Sequence, residues 1–576
     1  MRAASPSPEP REPSAHGAGR ESRAGSGPRA SAQSGILLLA LLILAVTVGG
    51  IVVASLSHND GHLVYALDDT YIHMSVAKNL VRHGVWGVTP FGFSSSTSSI
   101  VWAILLAGTY LAAGVNEVSP LILSLVFALL VVFAAHLILR RYESSRAATW
   151  ITLLAVIFLT PLPVLVLQGM EHTLQTLVTL LATYFAAQVL SGEDAGHTRQ
   201  NSVLLLVLAP VVTSTRFEGM FLVAVLGALF VMRSRWKFAL VLGAGGFLPV
   251  IAFGIFSHYY GGMVLPGSVL LRSRLAQMTS FGAALEVLVQ APYVNMADAP
   301  HLMSLIFAAL LLYTLSFEKR QSFWESRQVM ATIFVAVSAL HLEFAQVGSY
   351  LRYEAYLVAL GILVVALQVS GLVPRERPLQ SFERRRWPQY AAMTALVIFL
   401  LYPLLTRAIA GLTWLRQATT NIYQQQYQMG RFIRQFYEGS AVALNDIGAV
   451  DFIAEIHLLD LEGLGTQSVA RLRLRRDFHT GDIERLTKQA GTRMAIVYDH
   501  WYPPRPPIGG LPGGWVRVGT WTILNNIVAG GSTVSFYATE NSEIGPLMQH
   551  LREFSASLPP EVVQAGAYCS RIVAQR

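Results

Sequence analysis

YALDDTYIHMSVAKNLVRHGVWGVTPFGFSSSTSSIVW, residues 65–102, is the stretch that decides the fold. It opens with two adjacent acids, Asp68 and Asp69. Residues 69–82 carry apolar side chains at helical spacing and predict a short amphipathic helix. A helix cap needs only one acid, and carboxylates at a membrane face are costly unless they are used. A structural cap and a functional site both stay open on the residues alone.

The stretch follows a hydrophobic run, residues 35–56, that is long enough to span a bilayer. The chain of 576 residues is 53% hydrophobic and 13% charged, with a mean hydropathy of +0.47. Soluble chains average about 25% charged residues. The composition therefore predicts a polytopic α-helical membrane protein. The composition of residues 1–34 predicts a disordered cytoplasmic N-terminus. The hydrophobic run 35–56 predicts a signal-anchor helix without a cleavable signal.

The formal net charge is +8 and the pI is about 9.5. In a membrane protein this charge mostly reports cytoplasmic Lys and Arg, so we expect no nucleic-acid partner. The single cysteine, Cys569, excludes an internal disulfide and a multi-cysteine metal site.

Hydrophobic segments predict about 11 membrane crossings. They are residues 35–56, 119–139, 147–166, 171–190, 203–214, 217–232, 238–257, 302–317, 329–344, 353–370 and 389–410. We assign the ambiguous segment 100–114 to the membrane interface, because the strongly basic short loops, including Arg375–Arg386, then share the side of the N-terminus. The N-terminus is then cytoplasmic, the C-terminus is extracytoplasmic, and residues 57–118 form the first extracytoplasmic loop.

The composition changes after the membrane domain, residues 35–412. The pattern of residues 416–576 predicts an extracytoplasmic α/β domain. It has a strand that runs into a turn at 441–448, further strand candidates at 457–460, 494–498, 515–524 and 534–538, and helix candidates at 483–490 and 543–554. Trp501, Tyr502 and Trp515 flank a Pro- and Gly-rich loop, residues 502–514. These aromatic side chains either stack on sugars or fill a core, and the sequence leaves both open.

The stretch 65–102 contains several short motifs. They are Asp68-Asp69-Thr70-Tyr71-Ile72, Ala77-Lys78-Asn79-Leu80, the Gly-rich segment 84–87, and Ser96-Thr97-Ser98 before Trp102. This layout resembles the bacterial branch of the GT-C class of membrane glycosyltransferases, which use lipid-phosphate-linked sugars. Relatives with a similar layout include lipid A aminoarabinose transferases, protein O-mannosyltransferases and arabinofuranosyltransferases. Many of them carry Arg where this chain has Ser75, so one cationic contact is missing or supplied elsewhere.

The resemblance implies an inverting glycosyltransferase of the bacterial inner membrane, which moves a sugar from a polyprenyl-phosphate carrier to a glycan, lipid or protein acceptor outside the cytoplasm. It also implies that Asp68 is the general base and that Asp69 holds the acceptor or supports Asp68. Two alternatives remain: a lipid-linked polysaccharide flippase, and a non-enzymatic membrane protein that presents a binding domain. A flippase is expected to have charged or broken helices near the bilayer midplane, whereas most of the predicted helices here are uninterrupted and uncharged.

Other candidate residues lie in the predicted outward loops. The candidates for donor phosphate are Lys78, Arg216, Arg272 and Arg352, and those for substrate are Asn79, Glu171, His172 and Glu218. Snorkelling to headgroups is the alternative for each cation, and helix capping is the alternative for Glu171. Asp68, Asp69, His73 and His172 are candidate ligands of a divalent cation, but no spacing is diagnostic, so we assign no metal.

Overall fold

The computed structural model describes residues 27–271, 281–318, 322–372, 387–506 and 508–571. Within them a helical membrane part is followed by a mixed α/β domain, which confirms the predicted fold class. The α-helices of these residues are α1 (Gly27–His58), α2 (Asp69–His83), α3 (Ile100–Ala113), α4 (Ser119–Arg141), α5 (Arg146–Leu159), α6 (Leu162–Gln168), α7 (His172–Ser191), α8 (Thr198–Thr215), α9 (Gly219–Met232), α10 (Trp236–Tyr259), α11 (Gly267–Leu270), α12 (Phe281–Asp298), α13 (Pro300–Glu318), α14 (Ser326–Phe344), α15 (Ala355–Leu372), α16 (Trp387–Ile422), α17 (Gln428–Phe436), α18 (Gly448–Ile453), α19 (Gln467–Leu474), α20 (Thr480–Ala490) and α21 (Ile544–Phe554).

Every predicted hydrophobic segment lies, apart from at most two residues at one end, on one of these helices or, for 147–166, on the pair α5 and α6. Among the described residues, 7 helices are long and apolar enough to cross a membrane, or up to 8 if a pair bent by 97° counts as one span. The chain is a multi-pass membrane protein, and the count of eleven crossings stays a prediction. The basic cluster Arg375–Arg386, which decided the orientation, lies outside the described residues.

The amphipathic helix predicted at 69–82 is α2. It ends at Gly84, whose φ of 67° lies in the left-handed region that glycine adopts without strain. The helix α3 begins after Ser99, whose hydroxyl accepts the N–H of Trp102 at 3.2 Å. Its 14 residues cover about 21 Å, less than the roughly 30 Å of a hydrocarbon core. The helix α9 has the same length, so length does not decide the position of α3, and the interfacial position of 100–114 stays a prediction.

A single long helix joins the membrane part to the α/β domain. The helix α16 continues through a π-helical turn, Tyr423–Tyr427, into α17. From Met393 to Phe436 it has 44 residues, or about 66 Å. The expected boundary at 412–416 therefore lies within continuous helix, and no flexible linker separates the two parts there.

The α/β domain is built on a six-stranded sheet in the order β2-β1-β3-β5-β4-β6. Its strands are β1 (Ala441–Leu444), β2 (His457–Asp460), β3 (Met494–Val497), β4 (Val516–Thr522), β5 (Thr533–Ala538) and β6 (Val563–Gly566). The first three are parallel and the others pair antiparallel. The residues that follow β1, β2 and β3 therefore gather at one edge of the sheet, where α/β folds commonly bind ligands. In this protein α18 starts at that edge.

Candidate active site

A cavity of about 320 Å³ lies where α2, the turn between α8 and α9, and the turn before α15 meet the α/β domain. Its polar lining is Asp69, His73, Ser96, Ser98, Arg216, Glu218, Gln346 and Arg352. Its apolar and aromatic lining is Ile72, Met170, Phe217, Met220, Phe221, Leu265, Val269, Phe344, Ala345, Tyr353 and Leu464. A large apolar wall beside a few charged groups suits a ligand with a polar head and an apolar tail.

Asp69 and Arg352 form an ion pair in this cavity. The Nη2 atom of Arg352 lies 2.5 Å from Oδ2 of Asp69. The Nε atom of Arg352 donates to Ser349 Oγ at 3.2 Å. Arg352 is 3% exposed. The predicted donor-binding arginine and the second acid of the pair therefore lie together, although they come from distant parts of the chain.

A strained turn presents Arg352 to the cavity. Ser349, Tyr350 and Leu351 have φ values of 44°, 56° and 71°, a region that non-glycine residues occupy at a cost of about 1–3 kcal/mol each. Glu354 holds the turn: one carboxylate oxygen accepts the Gly348 N–H at 2.8 Å. The other oxygen accepts from His301, and from the Nε and Nη2 atoms of Arg407 at 3.2 and 2.9 Å. A fully buried anchor thus fixes the position of Arg352.

Arg216 is held by two glutamates. Its Nε and Nη2 atoms donate to Glu218 at 3.1 and 2.7 Å, and its Nη1 donates to Glu171 at 2.9 Å. An arginine has five N–H groups, so two of them donate to no described residue. The guanidinium also lies over the ring of Tyr353, 5.3 Å from its centroid. Arg216 is therefore rigidly placed and keeps donors for a ligand.

Glu171 joins Arg216 to the Ser-rich segment. Its Oε1 atom accepts from Ser98 Oγ at 3.0 Å, and its Oε2 lies 3.5 Å from Nε2 of His73. Glu171 is fully buried and accepts from both Ser98 and Arg216. It therefore acts as a counter-ion of Arg216 behind the cavity wall.

His172, the neighbour of Glu171, is 1% exposed and lies outside the cavity lining. Its ring meets the ring of Tyr353 edge-on, with centroids 6.5 Å apart. Neither ring nitrogen has a hydrogen-bond partner among the described residues. The structure thus gives His172 a packing contact at the back of the site, and its expected substrate contact stays a prediction.

Asp68 faces away from the cavity. Its two carboxylate oxygens accept the backbone N–H groups of Gly448 and Ala449 at 2.6 and 2.7 Å. It makes no side-chain cap on α2. The two acids therefore have separate surroundings: Asp68 contacts the α/β domain, and Asp69 contacts Arg352.

Lys78 and Asn79 also face away from the cavity. The Nζ of Lys78 donates to two backbone carbonyl oxygens of α18, and Nδ2 of Asn79 donates to the Gly87 carbonyl at 2.9 Å. Both side chains are buried in these contacts, so the structure does not bring them together with Arg216 and Arg352 in the cavity. Arg272 lies outside the described residues.

The candidate metal ligands are not assembled into a site. Among the described residues, no group of three or more His, Cys, Asp or Glu side chains is arranged to hold a metal ion. Nδ1 of His73 instead lies 2.7 Å from Thr97 Oγ1. In the part of the chain that the structure describes, the four candidate ligands form no cation site, and we derive no step through a cation.

Sequence reasoning missed the contribution of the α/β domain to the cavity. Leu464 lines the cavity, and its carbonyl oxygen accepts from Ser96 Oγ at 2.7 Å. The signal in the sequence is a glycine on either side, Gly463 and Gly465. The Cβ of any other residue at position 463 would lie 2.6 Å from the backbone nitrogen of Ala470. The tight turn presents Leu464 to the membrane part.

The aromatic side chains around the loop 502–514 belong to the domain core. Tyr502 is 3% exposed and packs in the cluster that Trp501 and Trp515 border. The Tyr502 hydroxyl donates to Glu462 at 3.0 Å. This arrangement favours the core over the sugar-stacking alternative.

Comparisons with known proteins agree with this architecture. A family model described as a domain of unknown function, DUF8728, matches residues 420–537. No curated protein matches the sequence. The fold is similar to ArnT from Cupriavidus metallidurans in the apo state, with a TM-score of 0.50 and 13% identity over 89% of this chain and 99% of that one.

Two further structures are similar at lower scores. ArnT from the same organism bound to undecaprenyl phosphate has a TM-score of 0.48 and 14% identity over 86% of this chain and 98% of that one. The oligosaccharyltransferase of Archaeoglobus fulgidus in complex with Zn and sulfate has a TM-score of 0.44 and 10% identity over 93% of this chain and 76% of that one. With its helical membrane part and its C-terminal α/β domain, this chain is therefore similar in fold to ArnT.

Proposed function

We propose that this protein is an inverting glycosyltransferase that moves a sugar from a polyprenyl-phosphate carrier to an acceptor of the bacterial cell envelope. One observation carries the proposal: a carboxylate, Asp69, and two guanidinium groups, those of Arg216 and Arg352, line one cavity beside an apolar wall. These are the groups that the reaction requires, since a base takes the acceptor proton and cations stabilise the departing phosphate.

The chemistry needs one displacement. The acceptor hydroxyl oxygen attacks the anomeric carbon while its proton passes to the carboxylate of Asp69. The bond between the anomeric carbon and the phosphate oxygen breaks, and polyprenyl phosphate leaves with the electron pair. The charge that grows on the phosphate is stabilised by Arg352 and by the two remaining N–H groups of Arg216. A single attack from the opposite face inverts the anomeric configuration.

The ion pair of Asp69 and Arg352 links donor binding to activation of the base. A donor phosphate competes with Asp69 for the guanidinium of Arg352, because both are anions. A carboxylate that loses a neighbouring positive charge binds a proton more readily. Donor binding therefore makes Asp69 a better base at the moment when the acceptor is to be deprotonated.

We assign the base to Asp69 and not to Asp68, which the resemblance implied. Both carboxylate oxygens of Asp68 already accept backbone N–H groups, and Asp68 does not belong to the cavity lining. Asp69 does belong to it. We likewise assign the donor phosphate to Arg216 and Arg352 and leave Lys78 out, because its Nζ is held by backbone carbonyls.

We further propose that the protein resides in the bacterial cytoplasmic membrane, with its N-terminus in the cytoplasm and residues 416–576 outside it. The donor class is supported by ArnT, which shares the fold and has also been captured with undecaprenyl phosphate. The acceptor is a glycan, lipid or protein on the extracytoplasmic side.

The test is transfer by the purified protein. It is incubated with a panel of synthetic polyprenyl-phosphate sugars and envelope extract, and released polyprenyl phosphate and the anomeric configuration of the product are measured. We expect turnover with one donor and inversion. Retention would exclude the single displacement. Movement of an intact lipid-linked sugar across vesicles without release of polyprenyl phosphate would identify a flippase instead.

A further inference from the structure

The short helix α18 of the α/β domain is held at its first turn by Asp68 of the membrane part. The N–H groups of Gly448 and Ala449 would have no partner within the helix, and the Asp68 carboxylate accepts both. A Cβ at position 448 would lie 2.0 Å from the backbone oxygen of Asp68 and 2.7 Å from its Oδ2. A close approach of the two parts of the chain therefore requires glycine here.

The same helix α18 is held at its last turn by Lys78. The Nζ of Lys78 donates to the carbonyl oxygens of Asp451 and Phe452, 2.9 Å from each. A cation at the end of a helix satisfies carbonyl groups that have no partner within it. Asp68 and Lys78 both belong to the α2 region, so one element of the membrane part contacts both ends of α18. We name these four hydrogen bonds the α2–α18 clamp.

The clamp is shielded from water. Asp68 is 8% exposed and Lys78 is 3% exposed. When one partner of a buried hydrogen bond is removed, the other stays unpaired in a place that water does not reach, which costs more than losing an exposed contact. Breaking one of these four hydrogen bonds should therefore cost more stability than breaking an exposed hydrogen bond.

The α2 helix carries the proposed base next to the clamp. Asp69 directly follows Asp68, and successive side chains on a helix point about 100° apart. One acid can therefore contact the α/β domain while its neighbour contacts Arg352. On the membrane side, Thr70 Oγ1 donates to the carbonyl oxygen of Gln168. The helix α2 thus lies between two supports, and the clamp is its support on the side of the α/β domain.

Resting on the proposed function, we infer that Asp68 and Lys78 are positioning residues: their hold on α18 keeps α2 in the orientation that brings Asp69 to Arg352. Docking of the α/β domain then becomes a condition for transfer. The same docked position brings Leu464 into the cavity wall. One contact surface therefore determines both the position of the base and part of the cavity wall.

The kinetic test compares Asp68→Asn, Lys78→Met and Lys78→Arg with the wild type. The Asn side chain keeps one acceptor oxygen but turns an NH₂ group toward one of the two N–H groups of α18. We expect kcat to fall roughly 10- to 10²-fold in Asp68→Asn and Lys78→Met, since small misplacements of a reacting group cost this much. The donor KM stays near the wild-type value, and Lys78→Arg recovers most of the rate because it still donates to carbonyls.

The matched control is His83→Ala. His83 also lies on α2 and also meets the α/β domain, with its Nε2 atom 3.7 Å from Oε1 of Glu455. Both side chains are 36% exposed, and exposed ion pairs contribute little. We expect this variant to keep the wild-type kcat.

Hydrogen exchange followed by mass spectrometry gives a readout that needs no donor. In the full-length protein we expect the amides of Gly448 and Ala449 to be protected. We expect them to exchange faster in Asp68→Asn but not in His83→Ala.

Two results would overturn the inference. Wild-type kcat in Asp68→Asn would show that transfer does not depend on the clamp. Complete loss of transfer in Asp68→Asn, with unchanged amide protection, would make Asp68 itself the base. A wild type that transfers no sugar from any donor would instead defeat the proposed function. In that case the exchange difference still decides whether Asp68 holds α18.

Discussion

The Oδ2 atom of Asp69 lies 2.5 Å from Nη2 of Arg352, although 283 positions separate the two residues in the chain. The contact joins the start of α2 to the turn before α15. Each of these groups has its own support: the α2–α18 clamp beside Asp69, and Glu354 behind the turn of Arg352. The two supports come from different parts of the fold, and each is open to separate substitution.

Asp69→Asn should abolish transfer, because the amide cannot accept the proton of the acceptor. Loss of a general base costs on the order of 10²–10⁴ in rate. Turnover of a synthetic polyprenyl-phosphate sugar by purified enzyme measures it. Asp477→Asn, which changes a 69% exposed carboxylate of the α/β domain, is the control and should keep full activity. If Asp69→Asn turned over normally, Asp69 could not be the base.

Gly448→Ala should undock α18 from Asp68, because the new methyl group would overlap the backbone oxygen of Asp68. We expect a lower unfolding temperature in detergent and faster exchange at the start of α18. Gly545→Ala adds the same methyl group in α21, where no atom lies within 4 Å. That control should be neutral or stabilising by up to about 1 kcal/mol. Equal unfolding temperatures for the two variants would contradict the close approach.

The stability of the docked state should depend on pH through Asp68 and Asp446. Burial raises the pKa of both carboxyl groups, and the neighbouring Asp446 raises the pKa of Asp68 further, whereas the N–H groups of Gly448 and Ala449 lower the pKa of Asp68. The pair therefore holds one proton in the folded state, and the two N–H groups favour the charged form on Asp68. The folded state then binds a proton more tightly than the unfolded state. The stabilisation is complete below the ordinary pKa of 3.8 and is lost as pH rises through the raised values.

The measurement for this pair is the unfolding temperature against pH. We expect the wild type to lose stability with rising pH more steeply than Asp446→Asn, which removes one titrating partner. Parallel curves for the two proteins would show that the two carboxyl groups do not titrate together in the folded state.

Arg407→Met should destabilise the turn that presents Arg352. It leaves the fully buried carboxylate of Glu354 without its guanidinium partner, and breaking a buried pair costs about 3–5 kcal/mol. Denaturant unfolding of the purified protein measures the change. Arg416→Met is the control on the same helix, because the Arg416 side chain is exposed and contacts His58 at the surface. A similar loss in both variants would contradict the anchoring role.

The orientation in the membrane is open to reporter fusions. The charge bias of the loops predicts that residues 375–386 are cytoplasmic and that residues 416–576 are extracytoplasmic. A reporter that folds only in the cytoplasm should be inactive when it is fused after Gly439. An active fusion at that point would reverse the assignment of the α/β domain.

The elements of this fold were largely readable from local patterns. The period of apolar residues predicted α2, and β-branched and aromatic runs predicted the first five strands of the sheet. The strand β6, four residues with mostly exposed side chains, carries no such signal. The pair Arg216 and Glu218 was also recognisable, because two charges interrupt an apolar run.

The roles within the site were harder to predict, because they depend on which element covers which face of α2. The resemblance implied that Asp68 is the base, and its positive charge made Lys78 a candidate for phosphate binding. Their partners are backbone groups of α18, more than 370 positions away. No local sequence pattern predicts a contact with a distant main chain. Leu464 and the pairing of Asp69 with Arg352 could not be predicted for the same reason, because each joins distant parts of the chain.

The unbroken helix from Met393 to Phe436 fixes both the distance and the rotation of the α/β domain relative to the membrane part. One inserted residue would turn everything beyond it by about 100° and carry Gly448 away from Asp68, although it would touch no residue of the cavity. Seven inserted residues, close to two whole turns, would restore the facing surface but lift the domain by about 10 Å. The π-helical turn at Tyr423–Tyr427 belongs to this count, because a π turn changes the phase of the helix that follows it. The number of residues in this helix is therefore constrained as tightly as the identity of the residues that meet the substrate.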